Sequence, residues 1–175
     1  MGGMNFDRCL EIGCGTGKNS EWLAMKAQEL LAVDFSDEML ARAKAKVKSG
    51  NVRFEKADIT GPWDFTKGSF DVITFSLVLE HLQHLDPIFE KAARVSHEGT
   101  LLYVGELHPF KQYTGSKARF KTGQGLSVVE CYDHHISDFI NAAQKGGFSL
   151  VKLQEYFDDD RPEIPRILSL LFKKS

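Results

Sequence analysis

The chain has few cysteines, no long apolar run and almost no net charge. Its three cysteines, Cys9, Cys14 and Cys131, are an odd number without CxxC spacing, which predicts reduced, packed thiols and not a disulfide framework. No apolar run approaches the length of a membrane span, and the first residues, MGGMNFDR, lack the apolar stretch of a signal peptide. A net charge of -2 gives no sign of a nucleic-acid or membrane partner. These absences predict a cytoplasmic protein that binds neither.

The sequence does have a regular alternation of strand-like and helix-like segments. With 175 residues, 42% of them hydrophobic, residues 1–175 are predicted to form one domain. Seven segments have the pattern of strands: Arg8–Ile12, Glu29–Asp34, Val52–Ala57, Phe70–Ser76, Gly99–Glu106, Phe148–Tyr156 and Ile167–Phe172. The helix-like segments are Lys18–Lys26, a segment from an N-cap at Ser36 to Gly50, about Leu77–Val95, and Ile136–Lys145. This alternation predicts an α/β fold with a mostly parallel sheet and right-handed crossovers.

The end of the chain breaks the alternation. Strands six and seven are joined by DDDRPEIPR, which leaves no room for a crossover helix, so the two strands should pair antiparallel. The acidic run Asp158–Asp160 in this connection is interpreted as a solvated loop, with a ligand site as the alternative.

The stretch LEIGCGTGKNSEWLA, Leu10–Ala24, contains the most specific motif. An apolar strand stops at Gly13, Gly15 and Gly17, and a helical pattern follows at once. A dinucleotide-binding turn has the spacing G-x-G-x-x-G, and the third glycine comes one residue too early for it. EIGCGTG resembles instead the first motif of class I S-adenosylmethionine-dependent methyltransferases. The resemblance is closest to the small type-11 methyltransferase domains and extends over about Arg8–Phe172.

Three further features agree with this resemblance. Glu11 lies two residues before the first glycine, where the family has an acidic residue that orders the ammonium group of the ligand. Asp58 follows strand three, a position at which members of the family contact the adenine amino group. The final antiparallel pair of strands is also a family trait. The resemblance implies a Rossmann-like, doubly wound sheet of seven strands in the order 3-2-1-4-5-7-6. It also implies S-adenosyl-L-methionine as cofactor and S-adenosyl-L-homocysteine as product.

The resemblance further implies a set of cofactor contacts, which comprises Glu11, Gly13, Gly15, Gly17, Asp34, Phe35, Asp58, Ile59, Ser76 and Leu77. The glycines let the backbone approach the ligand without a Cβ in the way. Asp34 would accept hydrogen bonds from both ribose hydroxyls, with a helix-capping carboxylate as the alternative. Phe35 and Ile59 would enclose the adenine, with ordinary core packing as the alternative. Ser76 and Leu77, at the end of strand four, would offer a carbonyl to the ammonium group.

The acceptor site should lie beyond the carboxyl ends of strands four and five, at the topological switch point. The connection 106–135 is far longer than a usual loop, which predicts a substrate lid or insertion. It supplies the candidate substrate-binding residues Glu106, Tyr113, Lys117 and Arg119. Four basic residues and no acidic one lie between positions 111 and 121, which predicts an anionic acceptor, with a solvated basic loop as the alternative.

Methyl transfer needs few catalytic groups, because the cofactor supplies the reactive group and the protein positions the nucleophile. A general base is required only where the acceptor must lose a proton early, and His81 and His108 are the candidates. His81 and His84 are spaced i, i+3 on an apolar helical pattern without a paired carboxylate ligand, which favours a structural role. No metal is therefore predicted.

The predicted function is transfer of a methyl group to oxygen, nitrogen or carbon of a small-molecule acceptor. FSLVLEH stands where enzymes that methylate planar nitrogens have an N-P-P-Y-like motif, which argues against that class. Two alternatives stay open: a non-catalytic S-adenosylmethionine-binding module that needs a partner to complete its site, and a nicotinamide-dependent oxidoreductase. Strand one is expected at about residue 8, without the one or two helices that precede it in the family. Three outcomes stay open: the chain is a fragment that binds the cofactor weakly, a second subunit in a homo-oligomer covers the cofactor, or the insertion after strand five does so.

Overall fold

The computed structural model describes residues 5–110, 119–122, 125–128 and 131–175. Its strands are β1 (Phe6–Ile12), β2 (Ala27–Asp34), β3 (Val52–Lys56), β4 (Phe70–Ser76), β5 (Ser96–Leu107), β6 (Arg119–Thr122), β7 (Gly125–Val128), β8 (Phe148–Asp158) and β9 (Arg161–Lys174). Seven of them form one sheet in the order β3-β2-β1-β4-β5-β9-β8. Neighbours among β1 to β5 are parallel, whereas β9 is antiparallel to both β5 and β8. The predicted strand order is confirmed, with β8 and β9 as the sixth and seventh predicted strands.

The helices cover the two faces of this sheet. They are α1 (Lys18–Ala24), α2 (Asp37–Lys46), a 3-10 helix (Leu79–His81), α3 (Asp86–Arg94) and α4 (Ile136–Lys145). Apolar side chains of α3 and α4 pack with Leu10 and Ile12 of β1 in one buried cluster. Those of α1 and α2 pack with Cys9 of the same strand in a second cluster. Burial of both faces is typical of central parallel strands. Cys9 is a free, buried thiol, as predicted.

Local sequence signals account for the start of α2. The side chain of Ser36 accepts a hydrogen bond from the N–H of Met39 at 3.3 Å, which confirms the predicted N-cap. Two acidic residues lie in the first turn and two lysines in the last, so the charges complement the helix dipole. The helix ends at Lys46, which is earlier than the predicted stop at Gly50.

The helix predicted over Leu77–Val95 is only partly right. Leu77 has a φ of 56°, outside the right-handed helical region, and only the short 3-10 helix follows it. The α-helix begins at Asp86, with Pro87 in its first turn. Proline fits there because the N–H groups of the first turn have no partner inside the helix, whereas proline in a helix interior would break it.

The C-terminal hairpin is longer than predicted. β8 continues to Asp158 and β9 begins at Arg161, so most of DDDRPEIPR is strand and only two residues form the turn. Pro165 pairs with Phe157 at an irregularity of the ladder, where a missing N–H is tolerated. Asp158 accepts a hydrogen bond from Nη1 of Arg166 at 2.8 Å. The acidic run is therefore not a solvated loop throughout.

A short antiparallel ribbon of β6 and β7, which the sequence analysis did not predict, lies within the connection expected to be a lid. It pairs Arg119 with Val128 at one end and Thr122 with Gly125 at the other. Across the described ranges, no helix combines the length and apolar character of a membrane span.

Candidate functional site

The loop between β1 and α1 forms the first part of the site. Gly13, Gly15 and Gly17 have φ values of 71°, 53° and 77°. A Cβ atom on Gly13 would lie 2.0 Å from Cγ2 of Val78, so a larger residue would collide with the segment after β4. A Cβ on Gly15 would meet nothing within 4 Å. The loop is therefore closed toward β4 and open at Gly15, where a ligand can lie against the backbone.

Asp34 ends β2 beside this loop and is 8% exposed. Its Oδ2 accepts a hydrogen bond from the N–H of Gly15 at 2.8 Å, and its Oδ1 accepts one from the N–H of Ser36 at 2.9 Å. Each carboxylate oxygen has a second lone pair that can accept from a hydroxyl. Asp34 does not act as the cap of α2, which is Ser36, but ties the glycine loop to the end of β2.

The residues that follow β2 and β3 form the next part of the site. Phe35 is 76% exposed, so core packing does not explain it, whereas Ile59 packs partly against the core. Asp58 is exposed, and its Oδ1 accepts from the hydroxyl of Thr60 at 2.7 Å and from its N–H at 2.9 Å. These two bonds hold the pKa of Asp58 below its usual value. Of the predicted adenine-enclosing pair, only Phe35 presents most of its side chain to solvent.

Glu11 lies beneath the glycine loop and is 3% exposed. Burial raises its pKa to about 7, and the nearby charge of Asp34 adds to this, although a hydrogen bond from Ser20 opposes it. Oγ of Ser20 donates to Oε2 of Glu11 at 2.5 Å. Ser20 was not among the predicted site residues, although it lies on the face of α1 that also carries the buried Leu23 and Ala24.

The turn that follows β4, Leu77–Leu79, is held against the end of β5. The N–H of Leu77 donates to the carbonyl of Gly105 at 2.8 Å. Oε1 of Glu106 accepts from the N–H groups of Val78 and Leu79, each at 3.1 Å. Glu106 is 1% exposed, and burial raises its pKa to about 8 despite these two N–H groups, which lower it. The structure thus places Glu106 under the turn, and Leu77, 45% exposed, on its surface.

These buried carboxyl groups make the stability of the fold depend on pH. Glu11 and Glu106 have pKa values of about 7 and about 8, above the ordinary 4.5. Between pH 4.5 and these values, the folded chain therefore binds more protons than the unfolded chain. The contribution of these two groups to the free energy of unfolding is therefore largest below pH 4.5, and it is lost as the pH rises through 7 to 8. Urea unfolding at several pH values from about 5 to 9 should show this decline, with a smaller slope in a Glu11→Gln, Glu106→Gln double variant. Equal slopes in the two proteins would contradict the prediction.

The two predicted base candidates both have protein partners. Nδ1 of His81 lies 3.7 Å from Sγ of Cys131, and its Nε2 lies 4.0 Å from Oε1 of Glu80. Nδ1 of His108 accepts from the N–H of Phe110 at 3.1 Å, which places the proton on Nε2. That Nε2 lies 2.8 Å from Oε1 of Glu155. This Nε2 is buried and makes no hydrogen bond within the described residues, so Glu155 is a close neighbour of His108 and not a hydrogen-bonded partner.

The remaining candidate residues belong to the connection after β5. Tyr113 and Lys117 lie outside the described residues, and of Arg119 only the backbone, in β6, is described. Within the described part of the chain, no group of three or more His, Cys, Asp or Glu side chains could hold a metal ion.

The carboxyl ends of β3, β2, β1 and β4 are neighbours in the sheet and bring these groups to one edge. An open stretch of backbone at Gly15 adjoins a carboxylate with free lone pairs, Asp34, and an exposed ring, Phe35. This combination fits a nucleoside with two neighbouring hydroxyls, whose base packs against the ring. A buried acid, Glu11, lies below, and the turn after β4 lies beside the loop. The residues present therefore fit S-adenosylmethionine.

Comparison with known proteins agrees with this geometry. A family model for a methyltransferase domain matches residues 10–104. An uncharacterized methyltransferase of Emericella nidulans is 28% identical over 166 residues, 83% of this chain and 58% of that protein. A trans-aconitate 2-methyltransferase of Deinococcus radiodurans is 30% identical over 141 residues, 71% of this chain and 53% of that protein. The chain thus spans little more than half the length of these relatives.

A solved structure from Mesorhizobium loti, an S-adenosylmethionine-dependent methyltransferase, superimposes with a TM-score of 0.80 at 20% identity. The alignment covers 98% of this chain and 92% of the other. At this identity the similarity shows a common fold.

Proposed function

The chain belongs to the methyltransferase-domain family of class I S-adenosylmethionine-dependent methyltransferases, and we propose that it transfers the methyl group of this cofactor to oxygen, nitrogen or carbon of a small-molecule acceptor. The observation that carries the proposal is the open backbone at Gly15 next to Asp34, whose oxygens bond to the loop and keep lone pairs for hydroxyls. A phosphate-binding loop would instead direct several free N–H groups at an anion.

S-adenosylmethionine, when bound, supplies a methyl group on a positively charged sulfur atom, which a nucleophile displaces in line. In this proposal Asp34 accepts from the ribose hydroxyls, Phe35 packs on the adenine and Asp58 accepts from its amino group. Glu11 and the carbonyls at the end of β4 meet the ammonium group. The protein contributes chiefly by fixing these groups before the ligand arrives, which lowers the entropy cost of bringing the reactants together.

The acceptor is proposed to be a small molecule that carries a negative charge. The basic positions of the connection after β5, with Lys117 and Arg119 among them, support this proposal, and Tyr113 is a further candidate contact. Similarity to an enzyme named for trans-aconitate also supports it. His81 and His108 stay predictions as acceptor-side bases, and each would first have to leave the partner that it contacts here.

Thermal unfolding with three ligands tests the cofactor assignment. Ligand at about a hundred times its dissociation constant should add roughly 2.7 kcal/mol to the stability. S-adenosylmethionine and S-adenosylhomocysteine should therefore raise the Tm by several degrees, and NADH should not. A shift with NADH alone would support the oxidoreductase alternative, and no shift with either adenosyl compound would contradict the proposal.

Detection of product then tests the catalytic part. The chain is incubated with S-adenosylmethionine and a panel of small carboxylic acids that includes trans-aconitate, and S-adenosylhomocysteine is measured. Binding without turnover on any acceptor would favour a non-catalytic module that needs a partner. A cytoplasmic location, a homo-oligomeric state and the absence of nucleic-acid and membrane partners stay predictions from the sequence.

Replacement of Phe35 by alanine should weaken cofactor binding without destabilising the fold. Because the ring is 76% exposed, its loss should change the free energy of unfolding by less than about 0.5 kcal/mol. Loss of an aromatic contact worth about 0.5–1.5 kcal/mol should raise the dissociation constant about 2- to 12-fold. Calorimetric titration with S-adenosylhomocysteine measures this, with Tyr156→Ala on β8 as a control at another exposed aromatic residue. Equal affinities for both variants would exclude a contact between Phe35 and the ligand.

A further inference from the structure

Glu106 is buried in a way that the predicted acceptor contact does not explain. Its side chain is 1% exposed at the end of β5, and one oxygen accepts from the N–H groups of Val78 and Leu79. The other oxygen, Oε2, is also buried and has no hydrogen-bond partner among the described residues. Burial of a carboxyl group with an unsatisfied oxygen is unfavourable. The presence of Glu106 here would be explained if its carboxyl group is needed to hold the turn after β4.

The direction of these hydrogen bonds fixes the direction of the neighbouring carbonyls. Three successive N–H groups, from Leu77 to Leu79, donate toward the end of β5. In a trans peptide the C=O points opposite to the N–H, and the described residues include no cis peptide. The carbonyls of Ser76 and Leu77 therefore point away from β5. Since β4 lies between β5 and β1, that direction is toward the glycine loop.

The turn also has a conformation that it would not adopt alone. Leu77, with a φ of 56°, is the one residue other than glycine with a positive φ in the described ranges. Such a conformation is unfavourable for leucine and persists where the surroundings impose it. The side chain of Leu77 is 45% exposed, so its own packing does not impose the conformation. The bonds to Gly105 and Glu106 hold the N–H groups of Leu77 and of the two residues after it.

We infer that Glu106 is a positioning residue for the cofactor: its carboxyl group holds the turn after β4 so that the carbonyls of Ser76 and Leu77 face the ammonium group of S-adenosylmethionine. This inference rests on the proposed function. Glu106 was predicted to contact the acceptor. The inferred role acts instead through the backbone of the turn after β4.

Two ligands separate this role from a general structural one. S-adenosylhomocysteine has the amino-acid tail with its ammonium group, whereas 5′-methylthioadenosine has the nucleoside and the sulfur without that tail. Glu106→Ala should weaken binding of S-adenosylhomocysteine by about tenfold or more and change binding of methylthioadenosine less than about twofold. Glu106→Gln keeps an oxygen that accepts from both N–H groups, so it should bind both ligands as the wild type does. Where the alanine variant does not fold, Glu106→Asp, shorter by one methylene, takes its place.

Calorimetric titration of the three proteins gives outcomes that decide the matter. Equal weakening for both ligands, or no weakening of S-adenosylhomocysteine binding, would overturn the role of Glu106. So would a glutamine variant as weak as the alanine variant, since the acceptor oxygen would then not be what matters. A wild-type chain that binds neither ligand would instead overturn the proposed function, and this role with it.

Discussion

Gly15→Ala should lose S-adenosylmethionine binding by at least about a hundredfold while the chain stays folded. The added methyl group meets no protein atom within 4 Å, so it would occupy only the space in which the ligand is proposed to lie. Alanine at a φ of 53° costs about 1 kcal/mol in stability, or a Tm lower by about 2–4 °C. A hundredfold loss of affinity is about 2.7 kcal/mol, enough to abolish the thermal shift that the ligand gives.

Gly99→Ala is the matched control for this variant. Gly99 has a φ of 91° and open space around its Cβ position, but it lies near the amino end of β5. The φ of Gly15 lies within the left-handed region and that of Gly99 beyond it, so Gly99→Ala should lose at least as much stability, yet only the Gly15 variant should lose the ligand. Calorimetric titration with S-adenosylhomocysteine compares them. If Gly15→Ala binds as tightly as Gly99→Ala, the ligand does not lie against Gly15 and the site is placed wrongly.

Asp34→Ala should reduce both stability and cofactor affinity, because one carboxylate serves both. Its loss leaves the partly buried N–H groups of Gly15 and Ser36 without their acceptor, and each should cost less than the roughly 1–3 kcal/mol of a fully buried unpaired group. It also removes the proposed acceptor of the ribose hydroxyls, so the dissociation constant for S-adenosylhomocysteine should rise tenfold or more. Thermal unfolding without and with the ligand measures the two effects separately.

Ser36→Ala distinguishes the two contributions of Asp34. It removes the side-chain cap of α2 at a cost of about 1 kcal/mol and leaves the carboxylate of Asp34 in place. This variant should therefore be destabilised and still bind the cofactor with nearly wild-type affinity. If the ligand raises the Tm of both variants by the same amount, the effect of Asp34→Ala is structural, and the assignment of Asp34 to the ribose fails.

The parts of the site that could be predicted from the sequence are those set by short-range chemistry. A strand that ends in closely spaced glycines identifies a turn, and a carboxylate after the next parallel strand identifies a neighbour at the same sheet edge. The family resemblance predicted Gly15 and Asp34 as cofactor contacts, and their contact with each other follows from the adjacency of β1 and β2. The alternation of strand-like and helix-like segments likewise predicted a mostly parallel sheet, because consecutive parallel strands are joined by right-handed crossovers.

The parts that were missed depend on contacts with another strand or turn. The turn at Leu77 is helix-like in composition, yet Leu77 has a positive φ and the next two N–H groups bond to Glu106, far along the chain. Pro165 reads as a loop residue, yet an irregularity in the pairing with Phe157 admits it to a strand. In each case a contact with another strand outweighs the local preference, and the composition of the segment alone does not reveal that contact.

The placement of Glu106 also bears on how such a chain could be recombined with its relatives. Every residue proposed to contact the cofactor directly lies between residues 11 and 77, and the connection proposed to bind the acceptor follows β5. A chimaera with a new acceptor specificity would naturally be joined at the end of β5. Because Glu106 belongs to the cofactor half through its bonds to Val78 and Leu79, the crossover point has to lie beyond it. A junction placed before Glu106 would replace this residue together with the acceptor connection. The new protein would then lose the hydrogen bonds that hold the turn after β4.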